Sequence, residues 1–88
     1  MERQRTPKEL NELGDQAFYG RNQERNIEVA YTYYKQAADM NNPVGIFNLA
    51  KYYYQKAEYK KALMLYKKCS DLNYGPSFVK IYQMYLNG

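Results

Sequence analysis

The most constraining feature of this chain is that it repeats itself. Leu13-Gly14 recurs 36 residues on as Leu49-Ala50, and again 32 residues further, in weaker form, as Ile81-Tyr82. Between these points Ala30, Tyr34, Ala37 and Ala38 recur, shifted by 32, as Ala62, Tyr66, Cys69 and Ser70. Self-similarity at this period is the signature of stacked helical hairpins, in which each repeat buries its apolar face against its neighbour. Small residues at such positions let two helices approach closely, while larger residues fill the spaces around them. Gly14 is expected to face Ala30 and Ala37, and Ala50 to face Ala62 and Cys69. Leu13, Tyr34, Leu49 and Tyr66 then fall between adjacent hairpins.

Local signals divide the 88 residues into five helices and no strand. Thr6-Pro7-Lys8-Glu9 reads as a capping box with proline in the first turn. The first helix then runs over about 7–19, and Gly20 to Arg25 forms a polar loop. Asn26 caps a second helix over about 26–40, whose Ile27, Ala30, Tyr31, Tyr34, Ala37 and Ala38 keep a period near 3.6. Asn41-Asn42-Pro43 stops it and starts a third over 43–55; Glu58 opens a fourth over 58–72. Asn73-Tyr74-Gly75-Pro76 makes the next break, before a fifth over about 76–86. The expected fold is all-α: one domain over 1–88, with repeats at about 7–42 and 43–74 and a partial one at 75–88.

At these residues the chain resembles the tetratricopeptide superfamily, and its Sel-one-like branch in particular. The third helix, Gly45-Ile46-Phe47-Asn48-Leu49-Ala50-Lys51-Tyr52-Tyr53, follows that branch's pattern, as do Ala30, Tyr34 and the Ala37-Ala38 pair. The loop glycine of the branch lands on Gly20 and Gly88 but is Lys56 in the middle repeat. Tyr82 stands where the family has glycine or alanine, which favours a solitary capping helix at the C-terminus over a truncated repeat. The resemblance implies an α-solenoid that serves as a protein–protein scaffold. It also implies a concave groove lined by the first helix of each hairpin, which here gives Asn11, Asp15 and Phe18; Phe47, Lys51 and Tyr54; and Val79, Gln83 and Leu86. Relatives that grip a C-terminal carboxylate use a Lys/Asn/Arg cluster on that face. Only Asn11 and Lys51 match it, so that specificity is not expected.

The inventory of side chains argues against catalysis. There is no histidine to serve as a general base, and the single cysteine, Cys69, has no imidazole to activate it. One cysteine also excludes an intrachain disulfide and fits a reducing compartment, so a cytoplasmic protein is expected. No cluster of acids or thiols has metal-ligand spacing, no glycine-rich phosphate loop is present, and no cofactor is implied. No apolar run is long enough for a signal peptide or a membrane span. Although mean hydropathy is −0.85, aromatic residues make up 17%, with 12 tyrosines, a composition foreign to disordered chains.

Net charge is +4, and Lys60, Lys61, Lys67 and Lys68 form a basic stripe on the fourth helix. A solvated outer face is the simpler account of it. An acidic partner is the alternative, and nucleic acid ranks behind protein partners because the tyrosines follow the packing stripe. The expected function is an adaptor that holds a peptide or protein segment in the groove. The competing expectation is a self-associating repeat module, a homo-oligomer or a piece of a longer solenoid, that uses the fifth helix, with Val79, Met84 and Leu86 at the contact.

Overall fold

The computed structural model describes residues 4–87; the loop position at Gly88 lies outside them. Five helices follow in order: α1 (Pro7–Tyr19), α2 (Ile27–Asp39), α3 (Pro43–Gln55), α4 (Tyr59–Asp71) and α5 (Gly75–Leu86). Among the described residues there is no strand. Each helix packs on the next in the chain, and α1 also touches α3. Helices α1/α2 and α3/α4 are thus two helical hairpins, and α5 lies against α4.

Side chains set the helix starts. The Thr6 hydroxyl accepts from the Glu9 amide at 3.2 Å while the Glu9 carboxylate accepts from the Thr6 amide at 2.9 Å, which satisfies two otherwise orphaned donors. The Asn26 carbonyl accepts from the amides of Glu28 and Val29. Asn42 accepts from Gly45 at 2.9 Å. At α4 the cap is Glu58, which makes no side-chain capping bond. The fifth helix begins one residue earlier than its sequence signals imply, at Gly75. Chain reversals use left-handed residues: Gly20 after α1, Asn41 after α2, Ala57 after α3 and Asn73 after α4. Three of these suit the conformation, whereas Ala57, at φ 61, carries a Cβ that disfavours it.

Small residues mediate the close approaches: Ala50 clusters with Ala62 as expected, but the partners of Gly14 and Ala37 differ from the sequence expectation. Gly14 lies under the ring of Tyr34, so a Cβ there would overlap that ring. The residue seated on Ala37 is Gly45, at the start of α3, where an added Cβ would stand 2.6 Å from the Ala37 Cβ and 2.8 Å from α2 backbone. Tyr34 therefore fills the space over Gly14 and shares one cluster with Ala17, Phe18, Ala30 and, from the second hairpin, Leu49, while Gly45 makes a close backbone approach between the two hairpins. Tyr66 repeats the role of Tyr34 in the second hairpin, clustered with Ala50 and Ala62. Leu65 is half-buried against both clusters.

A buried amide relay locks α1 to α3. The Asn48 amide donates to the Asn11 carbonyl at 3.0 Å, and the Asn11 amide donates to the Asn42 carbonyl at 3.1 Å. Since Asn42 also caps α3, the relay ties the cap to the register between hairpins. Among the described residues no buried side-chain nitrogen or oxygen lacks a partner, as expected of polar groups kept from water.

Candidate functional site

The groove positions separate into internal and accessible groups. Asn11 is consumed by the amide relay, and Phe18 belongs to the first core cluster; both are buried and have little surface to offer a partner. Phe47 is half-buried between the rings of Tyr66 and Tyr74, with centroids 5.3 and 5.2 Å away. Asp15 accepts a 2.6 Å bond from the Tyr34 hydroxyl and keeps part of its carboxylate in solvent. Val79, Gln83 and Leu86 are exposed on α5, while Met84 is half-buried against the second core cluster.

Lys51 organises the accessible strip. Its ammonium donates to the Tyr19 hydroxyl at 2.6 Å and lies 4.9 and 5.2 Å from the ring centroids of Tyr19 and Phe18, within cation–π range. The Arg21 guanidinium covers Tyr19 as well, at 5.1 Å. One turn beyond Lys51, Tyr54 meets Tyr59 edge to face with centroids 5.1 Å apart. Tyr19 and Tyr54 are both largely exposed, and their ring neighbours restrict them. Tyr19 did not figure among the expected groove residues because it follows Phe18 directly, one position off the lining register. The 36-residue register pairs Lys51 with Asp15, one turn before Tyr19, so the lysine offered only a coarse signal for it.

Beyond Tyr54 the strip opens into a cleft of about 450 Å³ lined by Tyr54, Tyr59, Lys60, Leu63, Met84, Tyr85 and Asn87. A larger cleft, about 680 Å³, lies at the other end of the molecule among Arg5, Leu10, Gln36 and Met40, and none of the groove residues borders it. The basic stripe is not uniform. Lys61 pairs with Glu58 at 3.2 Å and covers the Tyr53 ring, and Lys67 lies 5.8 Å from the Tyr85 centroid. Lys60, Lys67 and Lys68 have no acidic partner among the described residues.

Cys69 is fully buried, its sulfur 3.5 Å from the Pro43 carbonyl oxygen. Burial pushes its thiol up from 9.0 to about 11, the opposite of what a nucleophilic cysteine needs. Burial, reinforced by Glu28, also raises Tyr52 to about 12. Both groups are neutral when protonated, so a raised folded pKa means the fold holds the proton more tightly than the unfolded chain does. The stability they contribute is complete below the unfolded values, 9.0 for Cys69 and 10.0 for Tyr52, and is lost as pH rises through about 11 and 12. Melting temperature is therefore expected to fall steadily over that alkaline range, and a thiol reagent at neutral pH to label Cys69 only as the chain unfolds. A flat alkaline profile with fast labelling of the native chain would contradict this.

Among the described residues no group of three or more His, Cys, Asp or Glu side chains could hold a metal ion, and no helix is long and apolar enough to cross a membrane. No family model, curated protein or solved structure matches the chain.

Proposed function

We propose that the chain is a non-catalytic protein-interaction adaptor of the Sel-one-like tetratricopeptide kind, working in the cytoplasm and taking a peptide or protein segment along the accessible strip. The observation that carries this reading is Lys51, fixed by Tyr19 and Phe18 beside the exposed ring of Tyr54. Aromatic side chains already held in place lose little conformational freedom on binding, so more of their contact energy survives as affinity. Asp15 and Gln83, at either end, add hydrogen-bonding groups for orientation. The buried, high-pKa thiol and the lack of histidine speak for binding over catalysis. Five of the other ten tyrosines are engaged in packing: Tyr34 and Tyr66 in the cores, Tyr31 against Tyr52 and Tyr53. That use of the rings follows the repeat stripe and favours a protein partner over nucleic acid.

Phage display of random peptides provides a test that needs no known partner. The wild-type chain is expected to enrich peptides that a Lys51→Ala, Tyr54→Ala double variant binds roughly 30-fold more weakly, the scale of losing one interface anchor. If that variant enriched the same peptides at wild-type affinity, while Lys60→Glu with Lys67→Glu lost them, the strip would not be the binding surface.

A further inference from the structure

In the third repeat the face that the second repeat covers with a helix lies open. In the repeat register Phe78 is the counterpart of Leu10 and Ile46, and Tyr82 is the counterpart of Gly14 and Ala50. Leu10 and Ile46 are 2% and 1% exposed, whereas Phe78 is 54% exposed. Ala50 is fully covered, packed with Tyr66 and Ala62 of α4, whereas Tyr82 is 64% exposed. The open face of α5 is thus the face on which α3 receives α4.

The opposite side of α5 is already used. Ser77 is buried there, and Ile81 and Met84 pack on the Ala50, Ala62 and Tyr66 cluster. Outward, Phe78, Val79, Tyr82, Tyr85 and Leu86 fall within about a third of the helix circumference, all exposed and none charged. One edge of this patch is basic. Lys60 shares a cleft with Tyr85, and Lys67 lies over the Tyr85 ring. Residues 56–88 hold six lysines against Glu58 and Asp71, so they carry the entire net charge of +4.

We infer that this face docks an amphipathic helix of a partner protein, whose apolar stripe covers Phe78, Tyr82 and Tyr85 and whose flank toward Lys60 and Lys67 is acidic. The inference rests on the reading of the chain as a protein-binding module, and not on the Lys51 strip. A helix is the occupant because α3 accepts one on the same face. The packing is inverted at its centre: in the first hairpin the ring of Tyr34 sits on Gly14, whereas here the ring belongs to α5. The partner helix therefore presents a small residue opposite Tyr82. A second copy of this chain fits less well. Two-fold pairing of α5 with itself sets ring against ring at Tyr82 and brings together the two segments that carry all the net positive charge, which costs rather than gains electrostatic energy.

Two synthetic helical peptides test this by fluorescence anisotropy: one with a Leu/Ala stripe flanked by glutamates, and its isomer with lysine at every glutamate. The glutamate peptide is expected to bind, and more weakly as salt rises, while the lysine isomer does not. Tyr82→Glu should weaken binding roughly 30-fold, as removal of a central aromatic anchor does, and Lys60→Glu with Lys67→Glu roughly tenfold. All three side chains are exposed, and circular dichroism confirms that the variants stay folded. Equal binding of both peptides, or no binding of either, overturns the inference. So does glutamate-peptide binding that survives Tyr82→Glu but is lost in Lys51→Ala, an outcome that leaves the adaptor reading standing. A dimer of the free chain, seen by sedimentation equilibrium and dissolved by Tyr82→Glu, overturns it in favour of a second copy.

Discussion

Gly45→Ala is expected to destabilise the chain by about 2 kcal/mol, and to lower its melting temperature by roughly 10 °C for a domain of this size. Glycine-to-alanine changes inside helices ordinarily stabilise, because glycine loses more backbone freedom on folding, by up to about 1 kcal/mol. Here the sign reverses because of what the new methyl meets. Its nearest neighbours are the Ala37 Cβ at 2.6 Å and the backbone of Ala37 and Ala38 at 2.8 Å, and backbone cannot turn aside as a side chain can. The α2–α3 crossing must open, and the Asn42 cap and the Asn11–Asn48 bond that depend on it shift as well. Two comparisons give the experiment its resolution. Gly75→Ala places a methyl where nothing lies within 4 Å, so it should be neutral or slightly stabilising. The nearest atoms to a methyl at Gly14 all belong to the ring of Tyr34, so shrinking that ring should recover part of the loss, whereas no single side-chain change should rescue Gly45→Ala. Thermal melts of the variants decide. A Gly45→Ala chain as stable as wild type would mean that the two hairpins do not cross where the structure places them.

Gly45 also marks the limit of what periodicity reveals. The spacing of apolar and small residues tells which face of a helix turns inward, and the helices were legible to within a residue or two on that basis, as were the Thr6, Asn26 and Asn42 caps. Periodicity does not tell which neighbour that face meets. Ala37 was assigned to Gly14 because both are small and share a hairpin, but Tyr34 already fills the space over Gly14, and Ala37 meets α3 instead. Asn11 shows a second limit. An asparagine at a lining position reads as solvent-facing, since an unpartnered amide is costly to bury. Its burial is tolerable only because Asn42 and Asn48, 31 and 37 residues away, complete its hydrogen bonds, and nothing local announces that. The α5 surface was legible only in part: Val79 and Leu86 are exposed, but Met84, expected beside them, packs on the second core cluster.

Tyr34→Ala is expected to cost about 3–5 kcal/mol, the range for deleting a buried aromatic ring. That is a large share of the stability of a chain this long, which at roughly 0.05–0.15 kcal/mol per residue amounts to about 4–13 kcal/mol. Tyr34 is fully buried, and its ring is what fills the space that Gly14 leaves open, so the first hairpin would be left with a cavity at its centre. Phenylalanine variants separate the ring from the hydroxyl. Tyr34 and Tyr66 hold equivalent repeat positions and their rings are both buried, but of the two only the Tyr34 hydroxyl has a partner among the described residues, Asp15 at 2.6 Å. Tyr34→Phe should therefore lose about 1 kcal/mol, as one hydrogen bond to a partly solvated carboxylate. Tyr66→Phe should change stability by less than about 0.5 kcal/mol, because its hydroxyl makes no such bond. Urea unfolding of the three variants measures the differences directly. Equal losses in the two phenylalanine variants would show that the Asp15 bond contributes nothing, and a Tyr34→Ala chain that remained folded with near wild-type stability would show that the ring is not the centre of the first hairpin.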